Sequence, residues 1–153
     1  MARKSMVVEP IGWVRNGIEP LAEVIWEEIT SEIVVEEKWG LALEGLEDFS
    51  HIIVVWWISY LEDERGTVLQ THPEQKEELP LVGIFATRSP VRPNPIGITA
   101  VKLLERQGNR LKVLGLDAYD GTPVLDIKPY LTKGDSIEDA TVADWAKQLW
   151  ERG

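Results

Sequence analysis

The sequence contains no cysteine and only two histidines among its 153 residues. The absence of cysteine excludes disulfides, thiolate metal sites and cysteine nucleophiles. His51 and His72 alone leave little basis for a histidine zinc site, so we expect no metal. No apolar run approaches the length of a membrane span, and residues 1–13 contain no signal-peptide hydrophobic region. We therefore expect a soluble cytoplasmic protein with no membrane attachment.

Positive charge is also scarce, since 26 acidic residues stand against 16 Lys and Arg and the net charge is −10. Proteins that are held to nucleic acid by bulk charge need many Lys and Arg to release counterions from the phosphates. The composition therefore argues against bulk electrostatic binding of nucleic acid, although it is compatible with a local basic patch.

Several common catalytic signatures are missing as well. The sequence has neither the glycine-rich dinucleotide fingerprint nor a Walker A loop, and it lacks the H-E-x-x-H zinc motif and the G-x-S-x-G nucleophile elbow. Any chemistry must therefore come from less familiar features.

Extended segments dominate the chain. Residues 51–60 form a continuous apolar run with β-branched side chains and paired tryptophans, which is typical of a buried strand. Two further strands flank a Gln-Gly-Asn hairpin signal at residues 107–109. The polar stretch 62–80 is expected to be a loop in which His72 is solvated. Strand-like patterns cover residues 6–15, 22–29, 31–39, 51–60, 81–87, 97–106 and 110–119.

The end of the chain has helical character. Ser136 followed by Asp139 resembles a capping box, which predicts a C-terminal helix over residues 136–152. Many strands with one late helix indicate a mainly β fold, either a barrel or a sandwich, and not a Rossmann domain, because strands and helices do not alternate. Apolar residues at helical spacing follow Ser136, namely Ile137, Thr141, Trp145 and Leu149.

The first informative stretch is Phe85–Gly97 (FATRSPVRPNPIG), which contains three prolines within six residues. Proline fixes its own φ and restricts the preceding residue, so this backbone is stiff. Arg88 and Arg92 lie four residues apart on it. One interpretation is a proline-braced crossover whose arginines pair with surface acids, and spacing alone slightly favours it. The other is a preorganised anion clamp, because arginine presents a rigid fork to carboxylate or phosphate.

The second stretch is Asp117–Tyr130 (DAYDGTPVLDIKPY). Asp120-Gly121 is a turn dipeptide, and most such pairs are simple turns between strands. The aspartates around it could instead accept hydrogen bonds from a ribose or an amine. Asp126 and Lys128 share a face of a strand and could pair with other surface charges. By its position beside a buried strand, His51 is interpreted as structural.

Together these stretches resemble the TrmO family, also called TsaA-like or YaeB-like. Two further blocks fit the same order, Pro10–Asn16 (PIGWVRN) and Gly45–His51 (GLEDFSH). The resemblance extends from about residue 7 to residue 130. It implies a small non-Rossmann β-barrel with short helices that binds S-adenosylmethionine. We therefore expect a cofactor-binding barrel domain over residues 1–135, with the C-terminal helix predicted from the sequence pattern packed on the same domain at residues 136–153.

The resemblance also implies an activity: methylation of N6 of threonylcarbamoyladenosine next to the tRNA anticodon, by a homodimer. Asp120 or His51 would be the base. Arg15, Arg92 and Lys128 would contact tRNA or shape the pocket. The implied cofactor-binding residues are Phe85, Ala86, Thr87, Arg88, Asn94, Asp120, Gly121, Thr122 and Leu125.

Two alternatives to this activity stay open. In one, the cofactor is retained and the acceptor is a small molecule or another RNA, which the acidic charge would suit. In the other, the chain is a non-enzymatic, cofactor-binding β-barrel module, since no general base is obvious from the sequence.

Overall fold

The computed structural model describes residues 4–152. Within this range the chain forms eight β-strands, two short α-helical segments and several 3₁₀ turns. The strands are β1 (Gly12–Arg15), β2 (Thr30–Val35), β3 (His51–Trp57), β4 (Gln70–Thr71), β5 (Val82–Gly83), β6 (Ile96–Gln107), β7 (Arg110–Leu114) and β8 (Pro123–Pro129). The α-helical segments are α1 (Thr132–Asp135) and α2 (Asp144–Arg152), and the 3₁₀ turns are Trp26–Glu28, Glu37–Leu43, Leu46–Asp48, Ser59–Glu64, Pro73–Gln75 and Ile84–Ala86.

Six of the strands close into a barrel in the order β1-β2-β7-β6-β3-β8. Every neighbouring pair is antiparallel, and the barrel closes where β1 pairs with β8 through Gly12 opposite Val124 and Trp13 opposite Pro123. Strands β4 and β5 form a separate two-stranded sheet. The expected mainly β fold with a small barrel is therefore confirmed, and the sandwich alternative is excluded.

Alternation along β3 shows how the sequence fills the barrel. Ile52, Val54 and Trp56 are buried, whereas His51 is exposed. Successive residues of a strand point to opposite faces, so every second side chain of this apolar run enters the core. The same cluster contains buried residues of the other barrel strands, namely Val14, Ile33, Val35, Val101, Leu111, Val113 and Val124.

The chain divides into two compact units. The barrel unit contains the chain up to Tyr60 together with Ile96–Tyr130, and so includes all six barrel strands. The second unit contains Leu61–Pro95 and the chain from Leu131 onward, with the β4–β5 sheet and both α-helical segments. The predicted domain over residues 1–135, with the C-terminal segment packed on it, stays a prediction.

Two sequence-based element predictions were wrong. Residues 22–29 form a 3₁₀ turn at Trp26–Glu28, because pairing with β7 begins only at Thr30 and successive glutamates disturb the strand alternation. The C-terminal helix begins at Asp144 and not at Ser136, whose backbone is extended at φ −101° and ψ 121°. The residues between include β-branched Ile137, Thr141 and Val142, which lose side-chain freedom in a helix.

Of three further element predictions, one is confirmed and two differ in extent from the structure. The Gln-Gly-Asn hairpin is present, with Gln107 opposite Arg110 in the β6–β7 pair. The strand predicted over residues 81–87 is shorter than expected, since β5 ends at Gly83 and the chain turns at Ile84–Ala86. Nor is the polar stretch 62–80 featureless, because it contains β4 and the turn at Pro73–Gln75.

Candidate functional site

A cavity of about 850 Å³ lies in the second unit. Ligand pockets in proteins span ~300–1,000 Å³, so this cavity can hold a nucleoside-sized molecule. Three segments line it: residues 71–75, residues 85–90, and residues 142–150, which include most of α2. Four of the predicted cofactor-binding residues are among the lining residues, namely Phe85, Ala86, Thr87 and Arg88.

The segment 85–90 is held by its own hydrogen bonds. The Thr87 hydroxyl donates to the carbonyl of Ile84 at 2.8 Å, and the amide of Ser89 donates to the Thr87 hydroxyl oxygen at 3.2 Å. Phe85 lies 77% exposed at the start of this segment. Because Phe85 also lines the cavity, its ring is accessible to a bound ligand.

The two arginines of this stretch have different environments. Arg92 is half-buried, and its Nη1 donates to the carbonyls of Thr87 and Ser89, each at 3.0 Å. Those contacts brace the loop. Arg88 is exposed, and its guanidinium has no hydrogen bond or ion pair within residues 4–152. Its fork is thus free to bind an anion at the edge of the cavity.

Asn94 belongs to the same unit but does not line the cavity. Its side-chain oxygen accepts a hydrogen bond from Nη2 of Arg65 at 3.1 Å, while Nε of Arg65 donates to the carbonyl of Pro93 at 2.9 Å. These contacts hold the C-terminal end of the proline-rich stretch in place. A cofactor contact at Asn94 stays a prediction.

The wall at residues 71–75 contains a backbone feature that the sequence did not reveal. Glu74 and Gln75 have φ values of 52° and 58°, a left-handed conformation that non-glycine residues rarely adopt. The surrounding structure holds such residues in a backbone conformation that is sterically unfavourable, and residues of this kind concentrate at ligand-binding sites. Nδ1 of the half-buried His72 lies 2.8 Å from the carbonyl of Leu79, so the expectation that His72 is solvated was wrong.

The Asp120 turn lies in the barrel unit. Gly121 has a φ of 80°, and its amide donates to the carbonyl of Val14 at 2.7 Å. The Asp120 Oδ1 accepts from the amides of Asn16 at 2.9 Å and Gly17 at 3.1 Å. These hydrogen bonds, together with the charge of Arg15, hold the pKa of the Asp120 carboxyl below its ordinary value. Asp120 is therefore a weak base with one oxygen already engaged.

Replacing Asp120 with asparagine is expected to lower the free energy of unfolding by about 1 kcal/mol at pH 7, because two charge-assisted hydrogen bonds at an exposed site are weakened. A carboxyl whose folded-state pKa is lowered contributes stability above its unfolded-state pKa and loses it as pH falls. The gap to the parent should therefore begin to narrow near the ordinary pKa of about 3.9 and close as the pH falls through the lower folded-state pKa. Urea unfolding at pH 7 and pH 3 checks this, with Asp139→Asn as an exposed control. A gap of equal size at both values would contradict it.

The remaining residues of the turn are packed into the barrel unit. Thr122 is buried, and its hydroxyl donates to the carbonyl of Tyr119 at 2.7 Å, while Leu125 is half-buried on β8. The Tyr119 ring meets the rings of Trp26 and Tyr60 at centroid distances of 5.6 and 4.9 Å. Burial raises the pKa of Tyr60. The three aromatic residues of this cluster are far apart in the sequence, so no local sequence pattern predicted it.

The other predicted site residues also lie in the barrel unit. His51 is exposed at the start of β3, with Nδ1 2.7 Å from the Ser50 hydroxyl. Lys128 pairs with Asp126 at 2.8 Å, which raises the pKa of Lys128. The two residues share a face of the strand, but they pair with each other, whereas the sequence had suggested pairing with other surface charges. Arg15 is exposed at the end of β1.

Among the described residues there is neither a metal-ligand cluster nor a membrane-spanning helix. Across residues 4–152, no three His, Cys, Asp or Glu side chains are grouped so as to hold a metal ion. Over the same range, no helix has both the length and the apolar character needed to cross a membrane.

Comparison with known proteins places these features in a family. Residues 15–136 match the family described as the tRNA-methyltransferase O N-terminal domain. This chain belongs to the TrmO family. The match includes the barrel strands from β2 onward and the cavity segments 71–75 and 85–90, and it ends before α2.

Individual relatives agree with that assignment. An S-adenosyl-L-methionine-binding protein of Archaeoglobus fulgidus is 38% identical over 86% of this chain and 94% of its own length. A mouse tRNA (adenine(37)-N6)-methyltransferase is 42% identical over 66% of this chain. The crystal structure of TrmO from Pseudomonas aeruginosa superposes with a TM-score of 0.72 at 28% identity, covering 94% of this chain.

The relatives differ in length. The chain spans 23% of the mouse protein, 63% of the Pseudomonas TrmO chain and 30% of a second A. fulgidus relative. The part shared with these longer relatives is therefore only a portion of each of them.

Proposed function

We propose that this protein is an S-adenosylmethionine-dependent methyltransferase that methylates N6 of threonylcarbamoyladenosine next to the tRNA anticodon. The observation that carries the proposal is the cavity of the second unit. Residues 85–90 line this cavity and lie within the TrmO-family match. Among them, Arg88 has a guanidinium that is free to bind an anion. Relatives named as S-adenosyl-L-methionine-binding proteins and as a tRNA adenine methyltransferase support it.

The lining of the cavity fits the chemistry of this cofactor. S-adenosylmethionine has a carboxylate, two cationic centres and an adenine ring. Arg88 offers a fork for the carboxylate. The exposed Glu74, which pairs with Lys76 at 3.1 Å, brings negative charge to the wall for the cationic centres. Phe85 offers an exposed aromatic surface.

When bound, the cofactor supplies an electrophilic methyl group and is released as the thioether S-adenosylhomocysteine. The protein contributes binding and alignment, which account for much of the acceleration of a displacement reaction. The braced segment 85–90 and the constrained Glu74–Gln75 backbone give the cavity fixed walls, so little ordering is needed on binding. The remaining predicted cofactor contacts, Asp120, Gly121, Thr122 and Leu125, belong to the same proposal.

A proton must leave the target nitrogen, and Asp120 and His51 were the predicted bases. The lowered pKa of Asp120 keeps its carboxylate ionised at neutral pH but makes it a poor proton acceptor. The His51 ring is exposed and already close to the Ser50 hydroxyl. The identity of the base stays a prediction between these two residues.

Contacts to tRNA form a further part of the proposal. Of the three predicted residues, Arg92 and Lys128 already make contacts within the chain, and Arg15 is exposed. With a net charge of −10, tRNA binding has to use a small basic surface, and the affinity for tRNA should fall with added salt.

We also propose a homodimer, which would bring two such basic surfaces together in one assembly. Apolar side chains on the outside of β6, such as Ile98 at 52% exposure, favour self-association.

The test is transfer of a tritiated methyl group from S-adenosylmethionine to tRNA. We expect incorporation into tRNA that contains threonylcarbamoyladenosine and none into the same tRNA prepared without that modification. Incorporation into a small molecule or another RNA alone would favour the alternative acceptor. Tight cofactor binding with no transfer to any acceptor would favour a binding module and would contradict the proposal.

A further inference from the structure

The third wall of the cavity comes from outside the segment that matches the family. The TrmO-family match ends at residue 136, whereas α2 begins at Asp144. Nevertheless, Trp145 and Leu149 of α2 line the same cavity as Phe85 and Arg88. These two α2 residues lie four positions apart and so share one face of the helix. The sequence revealed that face but indicated no ligand for it.

We propose that Trp145 provides the aromatic surface on which the adenine ring of the cofactor rests, so that α2 is part of the cofactor site. This inference builds on the proposed function. Indole is a large, rigid ring system, and base–aromatic stacking is a common and sequence-tolerant way to bind a purine.

Burial distinguishes Trp145 from the other tryptophan on the helix. Trp145 is half-buried although it borders the cavity, so part of the residue is packed and its ring has less room to move than an exposed one. Trp150 also borders the cavity but is 69% exposed. A fixed ring loses less conformational freedom when a ligand stacks on it than a ring that moves in solvent.

The walls of the cavity differ in chemistry. The lining residues within 142–150 are all apolar, whereas Arg88 gives the wall at residues 85–90 a positive charge and Glu74 gives the wall at residues 71–75 a negative charge. The adenine and amino-acid ends of the cofactor are therefore expected to depend on different residues. Trp145 should matter for any ligand that contains adenine, and Arg88 only for ligands that retain the carboxylate.

Two ligands separate these contributions. S-adenosylhomocysteine has both ends, whereas 5′-methylthioadenosine lacks the amino-acid part. Each is titrated calorimetrically into the full-length parent and into Trp145→Ala, Trp145→Phe, Arg88→Ala and Trp39→Ala. Trp39, a partly exposed tryptophan of the barrel unit, serves as the matched control because it does not line the cavity.

We expect Trp145→Ala to weaken both ligands by the same factor, about tenfold or more. Trp145→Phe should stay within about threefold of the parent, since it retains an aromatic face. Arg88→Ala should weaken S-adenosylhomocysteine far more than 5′-methylthioadenosine, and Trp39→Ala should change neither. If Trp145→Ala does not fold, the fluorescence change on ligand binding decides: it should shrink in Trp145→Phe, because the responding indole is gone.

The outcomes separate this inference from the proposed function. If the folded parent binds neither ligand, the proposed function fails and the inference fails with it. If the parent binds both and Trp145→Ala binds them equally well, only the inference is overturned. It is also overturned if Trp145→Ala weakens S-adenosylhomocysteine alone, or if Trp145→Phe retains the full fluorescence response.

Discussion

Arg88→Ala is expected to weaken S-adenosylhomocysteine binding by about tenfold or more, because hydrogen bonds to charged groups contribute ~1.5–3 kcal/mol. The fold should be unaffected, since the exposed Arg88 guanidinium has no hydrogen bond or ion pair within the described part of the chain. Calorimetric titration gives the affinity, and thermal unfolding of the same samples gives the stability.

Two variants make this result specific. Arg88→Lys keeps the charge but not the planar fork, so its affinity should fall between those of the parent and the alanine variant. Arg110→Ala removes an exposed arginine that pairs with Glu32 at 2.7 Å in the barrel unit, and it should bind like the parent. Parent-like binding by Arg88→Ala would mean that the anion clamp is elsewhere.

Gly12→Ala is expected to be the most destabilising single methyl addition in the barrel. A Cβ built on Gly12 would lie 2.9 Å from the Cα of Val35 and closer still to the carbonyl oxygen of Val34. Both neighbours are backbone atoms of β2, so no side chain can turn away to make room. Overpacking a well-filled site costs ~1–3 kcal/mol, and we expect a loss near the upper limit in urea unfolding.

Gly40→Ala is the matched control for this substitution. A Cβ at Gly40 would meet no atom within 4 Å, and its φ is not in the left-handed region. Its stability should stay within about 0.5 kcal/mol of the parent. If Gly12→Ala is as stable as Gly40→Ala, the close approach of β1 and β2 is wrong.

Local patterns were sufficient for the elements whose residues decide their own structure. The apolar run of β3 and the Gln-Gly-Asn hairpin were both predicted correctly, because strand burial and turn chemistry leave clear marks on neighbouring residues. The predicted start of α2, Ser136, lies eight positions before the observed start at Asp144. A capping pattern marks only a possible helix start, and the β-branched residues that follow Ser136 disfavour a helix there.

The site was predicted less completely than the fold, for two physical reasons. Spacing could not distinguish Arg88 from Arg92, since only tertiary hydrogen bonds show that Arg92 is engaged with the carbonyls of Thr87 and Ser89. Nothing in the residue types of Glu74 and Gln75 indicates a left-handed backbone, which is imposed by the surrounding structure.

The way the barrel closes also constrains how the chain reaches its fold. Gly12 pairs with Val124, so the closing contact joins residues near opposite ends of the barrel sequence. Contacts of such long sequence separation form late and slow the folding rate. During synthesis, β1 remains unpaired on its β8 side until residues 123–129 have left the ribosome. A growing chain of this kind has an open sheet edge, and such unpaired edges expose a folding chain to pairing with other chains.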